Sequence, residues 1–436
     1  MDQLTPSLSG LLAPFACCFR PEVFATFCSM TAAWVVCLGR RCVSRVWETT
    51  GRSASEDHSK AFRLFSQAAW NADELGRILL LGLLARLVPG SRVYLVVDDT
   101  LCHKRGSRVA FGGVFLDAVL SSKKHKCFRY GVNWVTLGLV LELPFRRDRP
   151  FCVNLLWRAY SKEVKGAPHK KKPQLAREML GLAVRWLPGH DPCVLADGGY
   201  VGRNLLYGLG EAVHAIGPVH PRASLSRPLP PGAPANRKRG EALGLTPRGL
   251  MGDPAYEWDR LWLRLPGGKR KKLDVRVAKG LCWYPVLGQR KIQLVLVRDP
   301  AGEWRDEMLL STDLRQTAEE VVLAYCRRWG VEVAYCESKQ LLGLHDPMVW
   351  SSKAVQRAHP MAWLVGGVVV LWYAQAGIQE EQARRHRPWY KHKVSPTMAD
   401  MLACCRLHLW RHWLENEPEK RQGKLDWLLE YIATAA

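Results

Sequence analysis

Four polar side chains recur at helical spacing in the last third of the chain: Tyr325, Arg328, Glu332 and Lys339. At about 100° per residue they share one narrow stripe of a single predicted helix. The other faces of that helix are predicted to pack through Val322, Trp329, Val333 and Cys336. A stripe with one acid between bases is also typical of a solvated, ion-paired surface, so the spacing alone favours a structural role. Chemistry becomes the better interpretation only if other acids can reach the same place.

Two earlier positions supply such acids. Asp98 and Asp99 follow the apolar run RVYLVV, and Asp197 follows PCVLA. We expect them at strand ends, where α/β sheets form ligand crevices, although strand-end aspartates are often only turn or cap residues. Adjacent strand residues face opposite sides, so only one of the pair can join the site. We favour Asp98, because the apolar run stops there and Thr100 would share its side; Asp99 is the alternative.

Three converged carboxylates are costly to bury unless a cation lies between them. Mg²⁺ suits carboxylates together with substrate phosphates. A pair of ions about 4 Å apart stabilises both the attacking and leaving oxygens of a phosphoryl displacement. In such a site, Arg328 and Lys339 would bind backbone phosphates on either side of Glu332. Tyr325 would donate a hydrogen bond to a phosphate or stack on a displaced base.

The elements that position these residues form a mixed α/β pattern. The first 90 residues read as helical, and Asn71 offers an N-cap. Strand-like runs and amphipathic helices follow, then a Pro/Gly-rich basic stretch and three strand-like runs that predict an inserted antiparallel β unit. A capping box at Thr317–Glu320 opens the stripe-bearing helix. The predicted segments are a helical N-terminal region at 1–90 with possible DNA binding, two parts of a catalytic core at 91–219 and 315–378, the inserted β unit at 220–314, and a basic helical C-terminal region at 379–436.

Charge indicates the partner. The 436 residues include 63 Lys and Arg against 40 acids, a formal net charge of +23. Such an excess favours a polyanion, nucleic acid first and an anionic membrane surface second. Three basic loops, at 169–173, 237–239 and 269–272, would hold a DNA backbone, although each alone is more simply a solvated cluster. The candidate DNA-binding residues in the first two are Lys170, Lys171, Lys172, Arg237, Lys238 and Arg239.

Other classes of protein are disfavoured. The 14 cysteines include no C-x-x-C pair, which predicts reduced thiols rather than disulfides. Two apolar runs, 23–39 and 361–377, are shorter than the roughly 20 residues that span a bilayer. We therefore expect both runs to be buried core helices.

The spacing Tyr325, Arg328, Glu332, Lys339 matches the pattern Y-x2-R-x3-E-x6-K. In this the chain resembles the DDE transposases of bacterial insertion sequences, and the order VVDDT, LADGGY and signature helix agrees with them. The tail PWYKHKVSPTMADMLACCRLHLW also looks like the family's, so the resemblance covers most of the chain beyond about residue 55. It implies a ribonuclease-H-like core, with a β insertion between the second aspartate and the glutamate. It also implies two Mg²⁺ ions, replaceable by Mn²⁺, at Asp98 (or Asp99), Asp197 and Glu332.

The resemblance further implies a cytoplasmic, nucleoid-associated enzyme that does not bind membranes. It would cleave double-stranded DNA at terminal inverted repeats and transfer the freed 3′-hydroxyl strand into target DNA, as a homodimer on paired ends. Two alternatives stay open. One is a DNA-binding regulator of transposition without chemistry, and the other is a related metal-dependent nuclease that cuts without joining.

Overall fold

The computed structural model describes residues 4–51, 56–164, 166, 168–265, 268–379, 393, 395–416 and 418–434. Most of the basic run that leads into the C-terminal region, 384–392, lies outside these described residues. Within them, the fold is a mixed α/β arrangement with one ten-stranded sheet and helices at both ends of the chain. The α/β prediction is therefore confirmed.

The strands are β1 (Arg92–His103), β2 (Gly113–Leu116), β3 (Phe128–Leu143), β4 (Arg146–Tyr160), β5 (Asp191–Ala196), β6 (His214–Pro218), β7 (Asp259–Arg264), β8 (Arg270–Cys282), β9 (Lys291–Arg298) and β10 (Glu307–Ser311). The helices are α1 (Pro6–Leu12), α2 (Pro21–Val36), α3 (Val43–Thr49), α4 (Ser59–Ser66), α5 (Ala72–Leu87), α6 (Lys172–Arg185), α7 (Arg203–Leu206), α8 (Pro247–Gly252), α9 (Tyr284–Leu287), α10 (Ala318–Arg327), α11 (Gly330–Leu341), α12 (Ser352–Ala358), α13 (Met361–Trp372), α14 (Met398–Glu415) and α15 (Arg421–Thr434).

Five strands form the core that positions the site, in the order β4-β3-β1-β5-β6. The strands β1, β3 and β4 form an antiparallel meander, while β5 runs parallel to β1 and β6 parallel to β5. Helices α11 and α13 pack on β4, and α6 packs on β3. Burial on both faces explains why β3 is an almost unbroken apolar run. This arrangement is the expected ribonuclease-H-like core.

The inserted β unit is antiparallel, as predicted, but it is not a separate sheet. The strands β7, β8, β9 and β10 pair in sequence order. The last of them then pairs antiparallel with β6, from Leu309↔Pro218 to Ser311↔Ile216. This pairing hydrogen-bonds an edge of the core that would otherwise expose free backbone groups. The insertion therefore extends the core sheet.

Helices before β1 and after β10 cover the sheet. Asn71 caps α5, with its side chain accepting a hydrogen bond from the Asp73 N–H, as predicted. Both apolar runs are helices in the core, and every residue of α13 is buried. One described helix, Ser352–Gly377, is long and apolar enough to cross a membrane, but 83% of its most apolar window is buried inside the protein. The prediction of core helices is confirmed.

Candidate functional site

The predicted signature helix is two helices, which corrects the single-helix prediction. Helix α10 ends at Arg327 and α11 begins at Gly330. Between them, the N–H groups of Arg328 and Trp329 donate to carbonyls three residues back, at 3.1 and 3.2 Å. This tightened turn replaces the regular four-residue bonding of an α-helix. A single helical wheel therefore cannot place Tyr325 and Lys339 on one stripe.

The packing face of α11 also differs from the prediction. Trp329 is 62% exposed and Cys336 is exposed, although both were expected to pack. The buried residues are Gly330, Val331, Ala334, Tyr335 and Ser338. A Cβ added at Gly330 would lie 3.5 Å from the Cys152 Cβ of β4. The helix therefore begins directly on the sheet, and this contact sets which side faces inward.

The first pair of aspartates lies inside β1, not at its end, because β1 continues to His103 through pairing with β3. Asp98 is 7% exposed and Thr100 is similarly buried, whereas Asp99 is half-buried. The alternation is the predicted one. Asp197 directly follows β5, as predicted, and the parallel register ends at Val97↔Ala196. Asp98 and Asp197 therefore each follow a member of the last β1–β5 residue pair, and they occupy matching positions on the two neighbouring strands.

Glu332 on α11 acts electrostatically on both of these acids. Burial raises the pKa of Asp98 to about 8, and the negative charges of Glu332 and Asp197 add to the rise. Burial also raises the pKa of Glu332; Arg328 and Lys339 oppose the rise, and Asp197 and Asp99 add to it. The nearest cation, Arg328, holds its Nη1 3.5 Å from Asp98 Oδ2, which is long for an ion pair with hydrogen bonding. The structure thus brings Asp98, Asp197 and Glu332 into one field.

These three residues fit a hard divalent cation by their chemistry. All are oxygen donors, and the repulsion among them is what such an ion relieves. Among the described residues, the group of three whose ligand atoms all lie within 4.8 Å of one another is a different one, described below. The three carboxylates are therefore more widely spaced than a closed single-ion site requires.

Asp99 already has a partner on each carboxylate oxygen. Lys172 Nζ, from the first turn of α6, lies 2.6 Å from Oδ2, and Tyr200 Oη lies 2.9 Å from Oδ1. Tyr200 belongs to the DGGY turn, and its N–H and that of Gly199 donate to Asp197 Oδ1 at 3.2 and 2.9 Å. Asp99 thus connects β1 to the turn that carries Asp197. Sequence reasoning missed this role of Tyr200, for which its position in DGGY was the available signal.

Tyr325 and Lys339, two further predicted DNA contacts, are both only partly accessible to solvent. Tyr325 is half-buried, with the Arg328 guanidinium 5.6 Å from its ring centre. Lys339 is half-buried, and burial lowers its pKa, while Asp117 and Glu332 counteract that shift.

The predicted basic loops differ in how free their cations are. Lys170 pairs with Glu178 at 2.6 Å and Lys172 with Asp99, while Lys171 is the exposed N-cap of α6. In the loop 237–239, all three cations, Arg237, Lys238 and Arg239, are exposed. The Arg239 guanidinium lies over the Tyr284 ring of α9, at 5.1 Å.

A second acidic cluster comprises Asp191, His214 and Asp313, whose ligand atoms all lie within 4.8 Å. Asp191 opens β5, so the cluster lies roughly 20 Å along the strand from Asp197. Arg92 Nη2 contacts both carboxylates, at 2.8 Å to Asp191 and 2.5 Å to Asp313.

Arginines already neutralise this cluster. Arg315 Nε lies 2.9 Å from Asp313 Oδ1. Burial would raise the pKa of Asp313, but the hydrogen bonds from Arg315 and Arg92 hold it well below its usual range. Although the spacing suits a metal ion, two guanidinium groups occupy the place of a cation. We interpret the cluster as an ion-pair network that fixes the start of β5.

Carboxylates that follow one another's register on the parallel strands β1 and β5 suit metal ions that act on phosphodiesters. The sequence model of the family described as DDE superfamily endonuclease matches residues 14–276, more than half of the chain, and the chain belongs to this family. A search of curated proteins finds no match. Family membership implies a metal-dependent enzyme with DNA as its substrate. The matched range includes Asp98 and Asp197 and ends before Glu332.

Proposed function

We propose that this protein is a DDE transposase, which cleaves DNA at the ends of its own insertion sequence and joins the freed 3′-hydroxyl strand to target DNA. One observation carries the proposal: Asp98, Asp197 and Glu332 share one electrostatic field beside adjacent strands of a ribonuclease-H-like sheet. The complete Y-x2-R-x3-E-x6-K spacing supports it.

The three acids would hold Mg²⁺, for which Mn²⁺ would substitute, and two ions are expected. Such ions would supply positive charge to the attacking and leaving oxygens of an in-line phosphoryl displacement. We assign the first ligand to Asp98, because side chains contact both oxygens of Asp99 at 2.6 and 2.9 Å, whereas Arg328 contacts Asp98 at the longer distance of 3.5 Å. Asp99 instead orients the turn that carries Asp197.

The cations around the acids bind the DNA backbone. Arg328 reaches Asp98 at 3.5 Å, so it can turn to a phosphate with little loss, and its planar fork suits bidentate binding. Lys339 lies near enough to Glu332 to oppose the rise in its pKa. Tyr325 contacts a phosphate or stacks on a displaced base. Lys171 and the 237–239 loop extend backbone binding beyond the site.

The proposed organisation has two protomers on paired inverted repeats. Each carries a core of 91–219 and 315–378, an insertion of 220–314, and helical regions at 1–90 and 379–436. The long terminal regions leave room for end recognition and pairing outside the catalytic core. The proposed location is the bacterial cytoplasm, at the nucleoid when DNA is bound.

The test is Glu332→Gln in the full chain, assayed on duplex DNA carrying the end of the element with Mg²⁺. We expect cleavage to fall by at least about 10²-fold, because the variant removes a carboxylate that would bind the metal ions, and their positive charge stabilises the transition state. End binding should be kept. Glu319→Gln, an acid on α10 outside the carboxylate field, is the matched control and should cut normally.

The products distinguish the alternatives. Joined strand-transfer product supports a transposase, while cut but unjoined DNA supports a nuclease. If the unaltered protein binds the end but never cuts with Mg²⁺ or Mn²⁺, the protein is a regulator and the proposal is wrong.

A further inference from the structure

A two-stranded ribbon extends from the core sheet beyond the C-terminal end of β1, the strand that carries Asp98. Strand β1 stops at His103, opposite Gly131 of β3. The preceding residues of β3, back to Phe128, pair only with β2. We call β2, the turn 117–127 and the start of β3 the β2–β3 ribbon. Neither the family match nor the signature residues assign it a function.

Hydrogen bonds hold the tip of the ribbon in one conformation. Asp117 Oδ1 accepts from the N–H groups of Val119 and Leu120, at 3.0 and 3.1 Å. Its Oδ2 lies 2.6 Å from His103 Nε2. The Ser122 N–H donates to the His125 carbonyl at 2.8 Å, which closes a tight turn around residues 123 and 124. The tip is therefore an ordered surface.

Positive charge covers the ribbon and the loop that leads into it. Six exposed cations there have no ion pair among the described residues: Arg105, Arg108, Lys123, Lys124, Lys126 and Arg129. Asp117 is the one acid between residues 104 and 131, and it is buried against His103. Nothing within the ribbon neutralises the six charges, so the surface is complementary to a polyanion.

Apolar side chains lie among these cations. Val114 and Leu116 share one face of β2, and Leu116 pairs with Phe128 across the ribbon. Phe128 is 58% exposed, and Val114 and Leu116 are exposed as well. An apolar patch alone would suit a partner protein. The surrounding cations instead select duplex DNA, whose major groove admits a two-stranded β-ribbon.

The distance from ribbon to carboxylates sets where the DNA would be held. Asp98 pairs with Thr136 of β3, and Phe128 lies eight residues further along that strand. At about 3.3 Å per residue the separation is at most roughly 27 Å. Since stacked base pairs repeat every 3.4 Å or so, this corresponds to about eight base pairs.

The base of the ribbon is tied to the segment after α11. Lys104 Nζ donates to the carbonyls of His345 and Pro347, at 2.5 and 3.0 Å. The Ala110 N–H donates to the Trp350 carbonyl at 2.9 Å. The loop that leads into the ribbon is therefore attached to the segment that follows the helix carrying Glu332.

We propose that the β2–β3 ribbon is a DNA-binding element that enters a groove of the substrate duplex about eight base pairs from the cleaved bond. The inference rests on the proposed function in that DNA is the substrate. The Lys123 and Lys124 side chains contact phosphates, and Leu116 and Phe128 contact sugars and base edges.

The test measures the salt dependence of binding by the full chain to a 40-bp duplex that carries the element's end, in EDTA. Lys123→Gln/Lys124→Gln is compared with Arg86→Gln/Arg185→Gln. The control arginines are also exposed and unpaired among the described residues, and they precede β1 and β5, near the ends of these strands opposite to the ribbon. Each lost phosphate contact should reduce the slope of log K against log[salt] by about 0.9, so the ribbon variant should be shallower by nearly two. The control should keep the parent slope.

A separate variant tests the proposed DNA contacts of the apolar side chains Leu116 and Phe128. Leu116→Ala/Phe128→Ala should weaken binding about tenfold or more without changing the salt slope, and thermal unfolding should show the fold intact. Equal slopes in both charge variants would overturn the proposal. It would also be overturned if the apolar variant bound DNA normally but changed the oligomeric state, because the face would then be an interface between copies. EDTA prevents cleavage, so a failed transposase assay leaves this result interpretable on its own.

Discussion

Magnesium binding should release a proton, because Asp98 is protonated at neutral pH in the metal-free protein. Burial and the charges of Glu332 and Asp197 raise its pKa from 3.8 to about 8. A metal ligand must be ionised, so the proton has to leave as the ion enters. We expect the affinity for Mg²⁺ or Mn²⁺ to rise as pH rises toward 8 and to level off above it.

The magnitude follows from that pKa. At pH 7 about nine-tenths of the Asp98 carboxyls carry a proton, so binding should release about 0.9 proton from this group. Between pH 6 and 7 the affinity should increase about tenfold. Glu332, whose pKa is also raised, can only add to the release.

The raised pKa of Asp98 also makes the folded protein less stable as pH rises. Because the folded-state pKa exceeds the unfolded value, the folded protein binds the extra proton, and the free energy of unfolding falls as pH rises from about 4 to 8. The difference of roughly four pKa units corresponds to an upper limit of about 6 kcal/mol above pH 8, and about 4 kcal/mol at pH 7. Asp98→Asn should therefore raise the denaturant midpoint in EDTA at pH 7, while Mg²⁺ no longer stabilises it normally.

Calorimetric titration of Mn²⁺ in two buffers of different ionisation enthalpy, from pH 6 to 8, measures the proton count directly. Asp98→Asn is the control, and its release should drop by nearly one proton. An affinity that stays constant from pH 6 to 8, with no proton released by the parent protein, would refute the placement of Asp98 in a shared acidic field.

Two further substitutions test the positioning of the site and the packing beneath it. Tyr200→Phe removes the hydroxyl that donates to Asp99, so we expect cleavage to need about tenfold more Mg²⁺ while end binding is kept; Tyr207→Phe, on an exposed ring, should match the parent. Gly76→Ala places a Cβ against the backbone oxygen of Leu155, so it should lower the free energy of unfolding by about 1–3 kcal/mol in a denaturation experiment. Gly181→Ala, in α6 with no atom within 4 Å of the new Cβ, should be neutral or stabilising by up to about 1 kcal/mol.

The sequence predicted best what depends on local alternation. The faces of Asp98 and Asp99 followed from the two-residue period of a strand, and the position of Asp197 followed from the end of an apolar run. The predicted end of β1 was wrong, because Leu101 and Cys102, which follow the acids, pair with β3 and so belong to the strand. That pairing is not encoded in the β1 segment itself.

The break in the signature helix was invisible to periodicity. Arg328 and Trp329 keep right-handed helical backbone angles, so the apolar pattern runs through them almost undisturbed. What changes is the hydrogen bonding, and the cause is tertiary: Gly330 packs on Phe151 and Cys152 of β4. Contacts between residues this far apart in the chain cannot be read from a local window.

The choice between Asp98 and Asp99 needed the same kind of information. Alternation shows that only one can face the site but does not show which. Our proposal of Asp98 rests on Lys172 and Tyr200, which lie 73 and 101 residues away from Asp99 and contact its two oxygens. The attachment of the insertion through β10 and β6 was likewise a long-range pairing.

The contrast between two groups of acids on one sheet supports our proposal that the carboxylates beside Asp98 form the functional site. At the start of β5, two arginines neutralise Asp191 and Asp313, and the pKa of Asp313 falls. Burial raises the pKa of Asp98, the charges of Glu332 and Asp197 add to the rise, and Arg328 makes only a long contact of 3.5 Å with Asp98. A fold that needed these acids only for stability would gain from neutralising both groups, since uncompensated buried charge costs several kcal/mol. Arginines neutralise the group at the start of β5 but not the group beside Asp98, and this difference supports the proposal that the second group holds the metal ions of a nuclease.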